Sequence, residues 1–255
     1  MSEETQSEAG SPTQRLPFTV RIVRDERQLL EAVRIRQAAY ERHVPVLAAD
    51  LRDPEPEDRE EGTAVLLAES RLDGQALGSL RIQTNRRSPI PIERSVALPI
   101  SLSGRRLAEG VRLGVCQGSM GRVVKTMLFK AFYEYCRYAG IEWIVISARA
   151  PLVRQYESLL FTDVFPGGGF VPLRHVGNLP HRILAFEMRT AVARWREAGH
   201  PLYRLFCHIR HPDILVHDEQ TRRRTRRPRD PVVPVHERRA LRLAVVRRDT
   251  PGMDK

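Results

Sequence analysis

Apolar residues change their spacing along this chain, and each change marks an element. Residues 18–23 (FTVRIV) alternate apolar and polar positions, as a half-buried strand does. Asp25 and Gln28 resemble a capping box, which opens a helix over 26–43. Leu29, Val33 and Tyr40 fall near one face of that helix, and Arg36 lies close to the same stripe. Residues 63–70 and 76–83 read as strands, with Asp73-Gly74 as the hairpin signal between them. After a proline-rich crossing over 86–103, residues 107–115 form a further strand. A glycine-containing turn then leads into a long amphipathic helix that Gly140 ends. Residues 141–148 (IEWIVISA) make a largely apolar central strand, and Pro151 starts a short helix that runs to Phe161. Strands follow at 170–176 and 182–189. A helix over 191–209 is interrupted at Gly199-His200-Pro201. This order predicts an α+β fold (an α/β sandwich) with one mixed, mostly antiparallel central sheet flanked by helices.

Composition narrows the class. With 255 residues, 42% of them hydrophobic, the chain can bury a substantial core. No apolar run approaches the roughly 20 residues that span a bilayer. The polar start, MSEETQSEAGSPTQR, has neither a basic nor an apolar region of the secretory kind, and reads as a disordered leader over 1–16. Cys116, Cys136 and Cys207 have no paired spacing, which implies reduced thiols and a cytoplasmic setting. The formal charge of +11 implies affinity for something acidic. Much of that excess lies in arginine-rich runs beyond residue 218, so 218–255 reads as a basic, largely disordered tail. The folded part is then 17–217, a core over 18–189 plus a helical extension over 190–217.

Several residues carry candidate chemistry. Glu109 and Arg112 stand three apart on a strand, where strict alternation places them on opposite faces. A bulge near Gly110 would bring both into one cleft, as base and as orienting cation; a structural ion pair at the sheet surface is the plainer account. The turn QGSMGR, with Gln117, Gly118, Gly121 and Arg122 after Val115, is suited to an anion at a helix N-terminus. Tyr156 is a candidate general acid or a packing residue. Asp50, Asp53, Asp58 and Glu61 lie in a proline-broken acidic loop that either is solvated or faces a cationic substrate. The sequence C-H-x-x-H at 207–211 lacks a second ligand pair, so no metal site is assigned.

Four segments in this order resemble the N-acyl amino acid synthase branch of the GNAT N-acyltransferases. That branch is related to acyl-homoserine-lactone synthases and exosortase-associated acyltransferases. The segments are RIRQAAY with Arg36 and Tyr40, ALGSLRI with Gly78 and Arg81, LAEGVRLGV with Glu109 and Arg112, and RQYESLLF with Tyr156. The resemblance implies a GNAT-like sheet with a splayed acyl-donor cleft. It also implies transfer of an acyl group, long-chain in expectation, from a thioester to the amine of an amino acid or similar small amine. Glu109 would take the amine's proton or orient the amine, and Tyr156 would protonate the leaving thiolate. Arg112 would organise the cleft, and Arg36, Tyr40 and Arg81 would bind substrate. Val115, Gln117, Gly118, Gly121 and Arg122 would hold the donor's pantetheine and phosphate.

Two departures bear on the donor. Met120 stands where the pyrophosphate signature has its first glycine, and Leu160 replaces the glycine of L-G-F. The first favours an acyl-carrier protein, an acidic partner that complements a basic surface, over acyl-CoA. No permanently bound cofactor and no specific nucleic acid are expected, and the basic tail would touch anionic membrane. The family is bacterial. Asp50 and Asp53 match the D-x-x-D spacing of the homoserine-lactone synthases, which makes that activity the second reading. A non-catalytic nucleic-acid or adaptor protein on this scaffold is the third, with the arginine-rich tail as its motive.

Overall fold

The structure, a computed structural model, describes residues 12–217. The expected tail and residues 1–11 of the expected leader lie outside the described residues. The strands are β1 (Phe18–Ile22), β2 (Thr63–Ser70), β3 (Ala76–Thr84), β4 (Leu107–Val115), β5 (Trp143–Ala148), β6 (Thr162–Asp163), β7 (Val171–Leu173), β8 (Leu179–Glu187) and β9 (Ile214–Leu215). The helices are α1 (Glu26–His43), α2 (Pro45–Ala48), α3 (Pro91–Ser95), α4 (Gly118–Ala139), α5 (Ala150–Ser158), α6 (Ala191–Glu197) and α7 (Tyr203–Cys207). One sheet runs β6-β8-β5-β4-β3-β2-β1-β9, and β7 pairs with β8. All the neighbouring pairs are antiparallel except β4–β5 and β1–β9. The fold is the GNAT-like α+β sandwich that the sequence predicts.

Local chemistry explains the elements. The Asp25 carboxylate accepts from Gln28 N at 2.8 Å, and the Gln28 side chain accepts from Arg24 N at 2.9 Å, which fixes the start of α1. Leu29 and Ala32 of α1 pack with Val65 and Leu67 of β2. On the other face α4 buries Val124, Leu128 and Ala131 against β2 and β3, with Leu66, Leu80 and Ile82 among their partners. Side chains alternate across the pleat, so β3 gives Leu80 and Ile82 to the α4 face and Ser79, Arg81 and Gln83 to the α1 face. A third cluster around Leu107, Val145 and Ile183 covers the α1 face beyond α1.

The extension and the leader depart from expectation. The helix expected over 191–209 is two short helices, because the chain turns at 199–202. The strand expected at 170–176 narrows to β7 and a single 3-10 turn at Arg174–Val176. Residues 12–16, placed in the leader, are held by the body. Thr13 bridges Arg210, Gln14 N donates to Arg210 O, and Leu16 N donates to the Asp213 carboxylate at 2.9 Å. Among the described residues no helix is long and apolar enough to cross a membrane.

Candidate active site

β4 and β5 are parallel and pair only over Leu107–Glu109 and Trp143–Val145. Beyond that last rung the strands diverge, which leaves the edge of β4 open to a ligand's amide groups. Glu109 stands at the vertex, opposite Gln83 on one side and Val145 on the other. Its side chain is fully buried, and its Oε2 accepts from Ile92 N of α3 at 2.9 Å. It lies in the interior and not at the sheet surface.

The bulge that the sequence suggested near Gly110 lies two residues later. Ser79 pairs with Gly114 and Arg81 with Val111, so Leu80 faces both Arg112 and Leu113. Arg112 takes a φ of 55°, in the left-handed region that a non-glycine residue seldom occupies. The extra residue returns Arg112 to the α1 face that Glu109 already occupies. A regular strand would have separated the two.

Arg112 there meets Glu55 through two hydrogen bonds, Nε to Oε2 at 2.7 Å and Nη2 to Oε1 at 2.6 Å. Arg81 Nη1 donates to Glu55 Oε2 at 3.0 Å and reaches Asp58 Oδ1 at 3.4 Å. Arg36, whose side chain is buried, donates from Nη1 to Asp58 Oδ1 at 2.7 Å and from Nε to Ser79 Oγ at 3.2 Å. Arg36 is therefore a buried member of this cluster and not a snorkelling side chain. Three guanidiniums face two carboxylates, and Arg36 Nη2 and Arg81 Nε have no protein partner.

The charges act on one another. Burial alone would push the Asp58 carboxyl up, but Arg36 and Arg81 outweigh it and hold it below its ordinary value. Glu55 is lowered the same way: burial raises it, and Arg112 overrides that. Burial also draws Arg112 down, yet its bonds to Glu55 and Tyr40 leave it higher than a free guanidinium. Arg36 is lowered, because its burial exceeds the pull of Asp58.

Glu55 carries no sequence signal beyond its three-residue spacing from Asp58. The D-x-x-D pair that sequence spacing singles out, Asp50 and Asp53, is exposed and takes no part in this cluster.

Tyr40 hydrogen-bonds Arg112 on one side of the sheet. Tyr156, on α5, lies among Phe129 and Phe161 on the other side, at ring-centroid distances of 5.9 and 5.7 Å. Burial pushes the Tyr156 hydroxyl up, and the Tyr40 phenol adds to that shift. Beside the gap is a small apolar cavity of about 40 Å³, lined by Gly110, Ile146, Phe132 and Tyr156 among others.

At the wide end of the gap, Gln117 precedes α4 without a side-chain cap. Gly118 has a φ of 78°, and a Cβ on Gly121 would fall 1.8 Å from Cys116 O, so the turn requires both glycines. Met120 and Arg122 are exposed beside it. The Val115 carbonyl accepts from Arg42 Nη2 at 2.8 Å.

A mixed sheet splayed at its parallel pair, with a carboxylate at the vertex and a helix N-terminus at the mouth, is the GNAT-like arrangement that the resemblance implies. The chain belongs to the N-acyl amino acid synthase FeeM family, whose model matches residues 31–169, and it is an N-acyltransferase. Two solved structures share the fold. One is FeeM, an N-acyl amino acid synthase from uncultured soil microbes: 18% identity, TM-score 0.54, covering 71% of this chain and 96% of that one. The other is a CoA-dependent acyl-homoserine lactone synthase, BjaI, with SAM and isopentyl-CoA: 17% identity, TM-score 0.53, covering 81% of this chain and 98% of that one. No curated relative matches the chain.

Proposed function

We propose that this enzyme moves a long-chain acyl group from a thioester, carried by an acyl-carrier protein or by CoA, to the amine of a free amino acid. The observation that carries the reading is the shared face of Glu109 and Arg112 beside the splayed β4–β5 pair. The donor's pantetheine would lie along the open edge of β4, with its phosphate at the Gln117, Gly118, Gly121 and Arg122 turn. The acyl chain would enter the apolar cavity through the gap at Gly110. Arg36 Nη2 and Arg81 Nε would receive the acceptor's carboxylate, which supplies the partner those buried donors lack.

The chemistry needs little beyond positioning, because a thioester is already activated. The amine nitrogen attacks the thioester carbonyl carbon, the new C–N bond forms, and the C–S bond breaks. Glu109 takes the amine's proton, directly or through water, and the thiolate leaves. A phenol raised by burial stays protonated. Full proton transfer from Tyr156 to a thiolate would be uphill, since a free thiol titrates near about 8.5. Tyr156 therefore donates a hydrogen bond to the departing sulfur, and the proton held by Glu109 completes the balance.

The test is direct. Purified protein is incubated with acyl-carrier protein bearing chains of several lengths and a mixture of amino acids, then with acyl-CoA, then with S-adenosylmethionine as acceptor. An N-acyl amino acid identifies reaction, donor and acceptor together. A lactone in the third arm turns the assignment to homoserine-lactone synthesis, the reading that similarity to BjaI keeps in view. Absence of product in all three arms from folded protein removes both.

A further inference from the structure

We infer that Trp195 and Phe206, on the two short C-terminal helices α6 and α7, form the floor of the acyl cavity and set the chain length it accepts. This rests on the acyl-donor reading above. Both residues lie outside the segment that the family model matches.

A series of ring contacts marks the path from the gap to this floor. Tyr156 contacts Phe161 at 5.7 Å between centroids. Phe161 stacks on Phe186 at 5.1 Å, and Phe186 on Trp195 at 5.1 Å. Trp195 then meets Phe206 edge-on at 5.2 Å and Tyr133 of α4 at 5.0 Å. Tyr156, Phe186, Trp195 and Phe206 all line the same cavity. Trp195 is thus three ring contacts from Tyr156 and lines the same cavity.

Hydrogen bonds hold the floor at a fixed depth. Trp195 Nε1 donates to Leu159 O at 3.3 Å, and the neighbouring Arg194 Nη2 donates to Leu160 O at 2.7 Å, which ties α6 to the end of α5. Phe206 is held through Lys130, a fully buried lysine on α4 with no part in the proposed chemistry. Its ammonium donates to Leu205 O at 2.7 Å, to Ile209 O and to His211 Nδ1 at 2.9 Å. Burying an ammonium is costly unless its donors are satisfied. Glu134, one turn on along α4, lies 3.5 Å from the Lys130 ammonium, and the three acceptors just named all belong to the segment that presents Phe206. Lys130 is a positioning residue: it fixes the height of the floor without touching the acyl chain.

The experiment compares kcat/KM over a panel of acyl donors for the whole protein and its variants, with circular dichroism and melting curves for each. Trp195→Ala and Phe206→Ala should shift the preferred donor to longer chains, with the long-to-short ratio rising at least about tenfold, since one methylene in an apolar pocket discriminates by about 10–200-fold. Leu159→Phe, which narrows the same cavity, should shift it to shorter chains and keeps the test open if an alanine variant fails to fold. Lys130→Met should broaden the length profile, which a merely structural residue would leave in place while lowering the melting temperature. An active wild-type enzyme whose folded variants all keep the parent profile would overturn the floor. A wild-type enzyme inactive on every donor would overturn the acyltransfer reading itself, a distinct result.

Discussion

Arg112 holds Glu55 through both of its fork nitrogens, at 2.7 and 2.6 Å, although the two residues come from a bulged central strand and a loop 57 positions earlier. The bond fixes the loop over the α1 face and holds there the guanidinium of a left-handed residue. A bidentate Arg–carboxylate pair is both strong and directional. The bulge therefore shapes the site twice, by moving a cation and by anchoring the loop that answers it.

Glu55→Ala leaves Arg81 and Arg112 without their shared carboxylate. Removing one member of a buried pair costs about 3–5 kcal/mol, and the partial exposure of Glu55 puts this case near the lower end. Urea denaturation should show that loss. Arg112→Lys keeps the charge but not the fork, and kcat/KM should fall at least about tenfold while the fold survives.

The same carboxylates predict how stability depends on pH. Asp58 and Glu55 lie below their ordinary values in the folded state. The unfolded chain therefore binds more protons as pH falls below about 4, and stability rises with pH through that window. Urea midpoints should be level from pH 7 to 5 on account of these groups, then drop as pH descends through the folded-state values. Asp58→Asn should start lower and fall less steeply; an unchanged slope in that variant would show that Asp58 is not the titrating group.

Glu109→Gln preserves an oxygen to accept from Ile92 N, so the melting temperature should stay close to that of the parent. Turnover should fall by about 100- to 10,000-fold, the usual worth of a general base. Parental rates in this variant would remove Glu109 from the chemistry.

Gly114 packs directly under α1. A Cβ at this position would stand 2.7 Å from Arg36 Cα and 3.0 Å from Ile35 O, both backbone atoms that cannot rotate away. Gly114→Ala should cost about 1–3 kcal/mol, as overpacking does. It should also lower activity more than a similarly destabilising change far from the site, because the helix it lifts carries Arg36.

The sequence made the sheet and its long helices legible because spacing alone declares them. Helix α1 begins at its Asp25 cap and ends at His43 as the pattern predicts, and the Asp73-Gly74 turn joins β2 to β3. The segments carrying Arg36, Arg81, Glu109 and Arg112 were legible too, through their order. What spacing could not show was the choice among seven acidic residues in one proline-broken loop over 50–62. That choice depends on which carboxylate reaches a guanidinium on a distant strand. Nor could it place the bulge, since Gly110 is the residue that looks permissive and Arg112 is the one that bends. The break within 191–209 was visible at Gly199, but not that its two halves would converge on one cavity.

The first and last described segments lie side by side. Thr13 bridges Arg210, and Val20 pairs with Ile214 at the β9 edge of the sheet, four strands from β4. The two segments run parallel, so residues 12 and 217 lie at opposite ends of the pair. A circular permutant with new ends at the exposed Asp73-Gly74 turn therefore needs a linker that runs back along the edge, roughly 20 Å at the rise of an extended chain.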